Sequence, residues 1–336
     1  MLNVSADKTE DGHNTEDRDP GEGQPPTSKE MFWDTILERI SRGKCTPFLG
    51  AGACYGLIPL AADLAKELSS AYPELVGDSD DLARVSQFIA TWHDSDTPKY
   101  TIMRLFKKYP LPSGIDPGEP HTVLADLPLP VYITTNYDNF MVEALKRCDK
   151  DPRRELCRWN SYLIKHEHSI FDKSYEPPYE PTAANPVVFH LHGTIDISES
   201  MVLTEDDQID FLINYQKHLL TSHRAERKDL MIPPRIEKAL GGTTVLFLGY
   251  SLRDWDFRVL FRTLVGSLER SAAKSHISVQ LAPDEKNNSP EQNAKVKEHL
   301  ERYFNKQNIT LYWGTCRQFV EELNEKWKDY NAQNRP

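Results

Sequence analysis

This sequence predicts an α/β fold built on a mostly parallel sheet, with helices on both faces and a helical insert. Two observations carry that expectation. Short apolar runs suited to buried strands alternate along the chain with segments of helical period. Three of those runs end in a glycine-bearing or polar loop: FLGAGACYG at 48–56, YITTNYDN at 132–139 and VVFHLHGTID at 187–196. In an open parallel sheet such junctions gather at the carboxyl ends of the strands, where ligands bind.

The elements follow in chain order. Residues 1–30 are polar and rich in Asp, Glu, Gly and Pro, too poor in apolar groups to offset the entropy of ordering, and read as a flexible acidic tail before a folded domain at 31–336. Residues 31–43 place Phe32, Ile36 and Ile40 at helical spacing and stop at Gly43; the strand TPFLG follows. Over 60–109 apolar residues recur every three or four positions, which predicts several helices and puts the helical insert at about 60–120. Prolines crowd 110–130, after which VYITTN returns to strand character and DNFMVEALKR reads as its helix.

Residues 149–186 are charged, rich in Pro and Tyr and poorly periodic, so a loop-rich second insert is expected there, able to form part of a lid or partner surface. In MVLTEDDQIDFL a short strand precedes a helix, with Thr204 and Asp207 as a variant capping box; a third insert is placed at about 205–240. TTVLFLGYSLRDWDFRVLFRTL is a buried strand, a turn and an amphipathic helix. HISVQLA and ITLYWG are two further strands, and FVEELNEKWKDY is a terminal helix.

Composition excludes several classes. A formal charge of −11 disfavours a broad nucleic-acid footprint, which needs clustered Lys and Arg, so no strong direct nucleic-acid binding is expected. No segment reaches the roughly 20 apolar residues that span a bilayer, and the first residues lack the pattern of a secretory leader, so neither membrane insertion nor secretion is expected. Five cysteines without CxxC spacing suggest neither a disulfide framework nor a zinc ribbon, and a cytoplasmic location fits.

The residues that could carry chemistry lie at the junctions. Gly50, Gly52 and Gly56 form G-x-G-x-x-x-G, close to the dinucleotide fingerprint of Rossmann-like folds but not matching it; the turn either brings main-chain N–H groups to a pyrophosphate or only turns the chain. Asn136 and Asp138 leave a strand end two residues apart. Asn136 can orient a water or a ribose hydroxyl, whereas Asp138 can accept from a sugar or cap the following helix, as can Asn139. His190 and His192 share a strand face, with Gly193 after them leaving room for a substrate beside His192. Imidazole is the natural base near neutral pH, the alternative being a hydrogen-bonded core histidine, and no third ligand at a recognisable spacing makes the pair a metal site. After the next strand, Gly249 and Ser251 could meet a nucleotide, while Ser251 or Asp254 could cap the helix that buries Phe257, Leu260, Phe261 and Leu264.

Together GAG with Gly56 and Pro59, TTNYD, HLHG and GYSL, in this order, resemble the sirtuin (silent information regulator) family of NAD-consuming enzymes over roughly residues 44–283. The style of TTNYDNF and GYSLRDWDFRVLF is similar to divergent sirtuin-like domains of prokaryotic antiphage systems, which the resemblance implies hydrolyse NAD and starve an infected cell. It implies that Asn136 and His192 are the catalytic pair and that Asp138 supports the nicotinamide ribose. It implies further that Gly50, Ala51, Gly52, Ala53 and Thr135, with Gly249, Ser251 and Leu252, hold the phosphates and the adenosine end. NAD is then a substrate, and no metal is expected. The chain departs from protein-deacylating sirtuins in lacking their paired CxxC zinc module and in carrying Leu60, Ala61 and Ala62 where they have Asp-Phe-Arg, while Cys54 stands where Ser or Thr is common. Because unchecked NAD loss is lethal, control is expected through self-association and a separate detector such as a HerA-type ATPase or an Argonaute. Protein deacylation, ADP-ribosyl transfer and a non-catalytic subunit that binds NAD or ADP-ribose are the alternatives.

Overall fold

The computed structural model describes residues 28–74, 79–109, 116, 118–172, 179–221, 230–250, 259, 276–282 and 289–334. Seven strands form one sheet among these residues: β1 (Cys45–Leu49), β2 (Val131–Thr134), β3 (Arg153–Leu156), β4 (Val187–His190), β5 (Thr244–Leu248), β6 (His276–Gln280) and β7 (Ile309–Trp313). Their order is β3-β4-β2-β1-β5-β6-β7 and every neighbouring pair is parallel. An all-parallel sheet needs cover on both faces, and β1, β2, β4 and β5 are accordingly buried throughout.

Side chains alternate across the sheet and so divide the core in two. One face carries Tyr132, Val188, Leu246 and Leu248, packed with Trp33 and Ile36 of α1 (Ser28–Ser41), Leu124 of α5 (Pro120–Asp126), Met141 and Leu145 of α6 (Phe140–Arg147) and Phe319 of α11 (Cys316–Asn334). The other carries Phe48, Ile133, Phe189 and Phe247. It is covered by Leu163 of α7 (Ser161–His166), Phe211 and Tyr215 of α8 (Glu205–Thr221), Ile236 of α9 (Pro234–Gly242) and Phe304 of α10 (Pro290–Asn305). Each fully buried Phe of this kind stabilises the fold by about 2–3 kcal/mol.

Local chemistry sets the helix ends. At the end of α1, Gly43 takes φ +62°, and its N–H donates to Ile40 O (2.9 Å) while that of Lys44 donates to Arg39 O (2.7 Å). That pair of bonds satisfies carbonyls the helix leaves free. At the start of α8, Asp207 N donates to Thr204 Oγ1 and Thr204 N to Asp207 Oδ2, each at 3.0 Å, which is the reciprocal box read from the sequence. Asp207 also receives Lys99 Nζ at 3.1 Å in a buried pair, so the cap ties α8 to α4 (Thr97–Phe106).

The helices α2 (Ala61–Ala71), α3 (Leu82–Trp92) and α4 build a third, smaller core with Met201 and Leu203. Helix α5, which starts where the span 60–120 ends, packs on the main sheet instead. Within the loop-rich stretch 149–186, the described residues also include the edge strand β3 and the short helix α7. One local expectation is corrected. The apolar triplet Met201–Val202–Leu203 forms no strand; Val202 N donates to His192 O at 3.0 Å, and the flanking side chains fill the α2–α4 core. The expected tail lies outside the described residues except 28–30, which open α1. The expected helix with Phe257, Leu260, Phe261 and Leu264 also lies outside them. Among the described residues no helix is long and apolar enough to cross a membrane.

The loops after β1 and β5 meet backbone to backbone. Gly249 has φ +81°, and a Cβ there would lie 2.3 Å from Ala53 N. Gly249→Ala is therefore expected to lower stability by about 3 kcal/mol or more, from the forced backbone and the clash together. Gly242→Ala, whose Cβ would meet only a Lys238 side-chain carbon at 3.9 Å, serves as the control and should stay within about 0.5 kcal/mol. Urea midpoints of the two variants check the contrast.

Candidate active site

Four strands end at one level. Leu49 pairs with both Thr134 and Leu248, and Thr134 pairs with His190. The loops carrying GAG, TTNYD, LHG and GY thus leave the sheet side by side at its carboxyl edge, next to the central strand β1, where the chain reverses its direction of winding. That is the place for a ligand in an open α/β sheet.

The glycine turn is a single 3₁₀ turn, Ala51–Cys54. Gly50 N donates to Leu248 O (2.8 Å), Gly52 N to Gly249 O (3.0 Å) and Ala53 N to Gly50 O (2.9 Å). The N–H groups of Gly50, Gly52 and Ala53 are thus engaged within the protein, the first two bracing β1 against β5. A Cβ on Gly52 would come 2.9 Å from Gly249 Cα, and one on Gly50 would come 2.8 Å from the Tyr250 ring. Of the four residues Gly50 to Ala53, Ala51 alone is exposed, and Ala53 belongs to the main core. Tyr250, which sequence reasoning passed over, lies edge-on to Phe48 and Phe247. Its hydroxyl donates to Leu49 O (2.9 Å) and lies 2.7 Å from Thr135 Oγ1. Ser251 and Leu252 lie outside the described residues.

Beneath the edge is a buried polar cluster. Asn136 donates through Nδ2 to Gly50 O (3.1 Å) and to Cys54 Sγ (3.2 Å), while its Oδ1 accepts nothing from the described residues. Asp138 Oδ1 accepts from Phe140 N (2.8 Å), so the helix-capping role falls to Asp138, and Oδ2 receives the Cys54 thiol at 3.4 Å. Asn139 instead donates to Asp196 Oδ2 at 3.0 Å. His121 Nε2 stands 3.9 Å from Cys54 Sγ, and its Nδ1 is 2.5 Å from Glu119 Oε1. Glu119 also accepts from the Thr122 N–H at 2.7 Å, holding the start of α5.

Burial and charge set these groups apart. Burial, reinforced by Asp138, raises the Cys54 thiol well above its ordinary value. For His121 burial works downward, yet its bond to Glu119 and the charges of Glu119 and Asp138 outweigh it and raise the imidazole. Burial works upward on Glu119, but His121 and the capping N–H groups bring it down to about 2. Neither Glu119 nor His121 stood out in the sequence; the only signal was a Glu-Pro-His turn opening a helix.

His190 ends β4 fully buried, with neither ring nitrogen in normal hydrogen-bond geometry to a described residue, and burial lowers it to about 4. His192 is partly exposed, its ring edge-on to Phe211 at 5.1 Å, and burial lowers it to about 4 as well. Gly193 has φ +87°, and a Cβ there would strike Ser200 O at 2.1 Å, so the neighbour it admits is the Ser200 backbone. Asn136 and His192 each lie two residues beyond the pair Thr134 and His190. Their side chains turn to different neighbours, the amide to Gly50 and Cys54 and the imidazole to Phe211, and they make no hydrogen bond with each other. A cavity of about 470 Å³ opens between α7 and α8, lined by Trp159, Asn160, Asp210, Asn214 and Lys217; no residue singled out from the sequence lines it.

Comparison with known proteins supplies the family. The model of the SIR2-like domain matches residues 130–312, just over half of the 336-residue chain. The chain belongs to this family. Among curated relatives of this SIR2-like chain, the NAD(+) hydrolase ThsA of Cytobacillus dafuensis is 23% identical over 245 residues, covering 71% of the chain and 42% of that protein. The NAD(+) hydrolase ThsA of Enterococcus faecium is 28% identical over 141 residues, 41% of the chain and 23% of that protein. The NAD(+) hydrolase ThsA of Bacillus cereus (strain MSX-D12) is 23% identical over 269 residues, 76% and 48% respectively. The chain therefore spans less than half the length of these relatives. A solved structure concerned with the mechanism and regulation of Sir2 enzymes is similar at 14% identity with a TM-score of 0.37, covering 90% of this chain and 100% of that one.

The depressed histidines have a consequence for stability. With His190 at about 4 in the folded chain and the ordinary value at 6.5, the unfolded state binds more protons between those limits. The stabilisation is complete above about pH 6.5 and is lost on acidification toward pH 4, on the order of 3 kcal/mol for this one group. Unfolding free energy measured against pH should fall through that window, and the slope should be shallower in His190→Gln whatever that variant's absolute stability.

Proposed function

We propose that this chain is an NAD+ hydrolase that cleaves the bond between nicotinamide and ribose to give nicotinamide and ADP-ribose. The observation that carries this reading is the common level at which β2 and β4 deliver Asn136 and His192 beside the glycine turn. The names of the ThsA relatives support the same chemistry.

Nicotinamide leaves as a neutral base, taking the electron pair of the C–N bond, so the ribose needs a positioned nucleophile more than a general acid. Oδ1 of Asn136, which accepts nothing from the described residues, accepts from an attacking water and aims it at the anomeric carbon. Water forms the new C–O bond, and its proton passes to His192, which burial holds neutral at pH 7 and therefore able to accept it. Asp138, tethered by Phe140 N, keeps the loop carrying Asn136 in place. The biological reading is an effector of antiphage defence by abortive infection, acting in the cytoplasm and held in check by self-association and by a separate detector such as a HerA-type ATPase or an Argonaute.

A second reading, a non-catalytic subunit that binds NAD or ADP-ribose, is favoured by the different neighbours of Asn136 and His192, whose side chains make no hydrogen bond with each other. Nicotinamide release by the purified protein, with and without its genomic neighbour, separates the two: binding without turnover in both conditions sinks hydrolysis. Where turnover is found, His192→Ala and Asn136→Ala should each lower kcat by about 10²–10⁴-fold with unchanged circular dichroism. Because His192 sits at about 4, the rate should hold its plateau well below pH 6.5 and decline only as pH approaches that lower value.

A further inference from the structure

We propose that Cys54, His121 and Asp138 form a binding site for a zinc-class divalent ion beneath the carboxyl edge of the sheet. One ligand atom from each lies within 4.8 Å of the others, and all three residues are buried. The donor set of thiolate sulfur, imidazole nitrogen and carboxylate oxygen suits a borderline-soft ion such as Zn²⁺. Two negative ligands balance its charge.

The separations fit such an ion. With Zn–S near 2.3 Å and Zn–N or Zn–O near 2.0–2.1 Å, the edges of a tetrahedron are about 3.5 Å. Cys54 Sγ lies 3.4 Å from Asp138 Oδ2 and 3.9 Å from His121 Nε2. The third edge, between the ligand atoms of His121 and Asp138, is at most 4.8 Å, so an ion would draw these two groups in.

Each ligand is also held from outside. Asp138 commits Oδ1 to Phe140 N and presents Oδ2 to the cluster. His121 commits Nδ1 to Glu119 and presents Nε2, the carboxylate–histidine arrangement that orients imidazole ligands in metal centres. The Asn136 amide, 3.2 Å from Cys54 Sγ, stands as an outer donor to the thiolate. The ligands come from the turn after β1, the first turn of α5 and the loop after β2, so an ion would tie α5 to the two segments that hold Asn136. The site does not depend on NAD cleavage, and metal content is read independently of it.

The test uses the full chain, stripped with a chelator and titrated with Zn²⁺ against a chromophoric competitor, with total metal measured by mass spectrometry. About one zinc per chain with an affinity better than roughly 1 μM is expected. Cobalt substitution should give a thiolate-to-metal charge-transfer band. Cys54→Ser and His121→Ala should weaken binding by at least 100-fold and Glu119→Gln by about 10–100-fold, with folding checked by circular dichroism. Should the variants fail to fold, the cobalt spectrum of the unaltered chain decides. Less than about a tenth of an equivalent of zinc, a cobalt spectrum without the thiolate band, or affinity unchanged in folded Cys54→Ser would overturn the proposal; the last outcome would assign the metal to the partly exposed Cys148 or Cys316.

Discussion

In-register parallel pairing of the central strands is the constraint on which the rest depends. Hydrophobic burial on the two faces supplies most of the free energy, but it is non-directional and does not say where a loop will end. Register does. Because Leu49, Thr134, His190 and Leu248 share one level of the ladder, four loops from distant parts of the chain open onto the same edge. A slip of one residue in any of these strands would send its buried side chains to the wrong face, so core and site are specified by the same pairing. The contact of Gly52 with Gly249 then closes the edge between β1 and β5 at a distance no side chain permits.

Below that edge, polar groups occupy a place that packing would otherwise fill with hydrocarbon. Glu119, His121 and Cys54 meet in turn, and Cys54 meets both Asp138 and Asn136. Connected in this way, buried polar groups rigidify a site rather than weaken it. The environment also separates the histidines. His121, beside two carboxylates, is drawn toward its charged form, whereas His190 and His192 are driven toward the neutral form. Imidazoles pushed in opposite directions by their surroundings are the condition for assigning different roles to the same side chain.

Much of the fold was legible in local pattern. The apolar runs ending in FLG, YIT and VVFH, and the later VLFL, HISVQ and ITLYW, are each strands of the sheet. The box at Thr204 and Asp207 and the stop at Gly43 were legible because capping acts over three or four residues. Strand β3 escaped because RREL is an edge strand whose two arginines face solvent, so it lacks the apolar run that marked the others. Met201–Val202–Leu203 misled in the opposite sense, being an apolar triplet buried by helices instead of by ladder pairing. At the site, the residue types at each strand end were readable, but their neighbours were not. Cys54 and His121 are separated by 67 positions and Cys54 and Asp138 by 84, spacings that no motif reports.

From its sequence alone the chain determines which segments become strand and helix, and which residues stand at the carboxyl ends of the strands, because side-chain period and turn chemistry act between near neighbours. The order of the strands, the engagement of the glycine turn by β5, the capping duty of Asp138 and the protonation bias of each histidine were decided by the tertiary structure. All four depend on burial and pairing through space between residues far apart along the chain, and those quantities exist only once the sheet has closed around them.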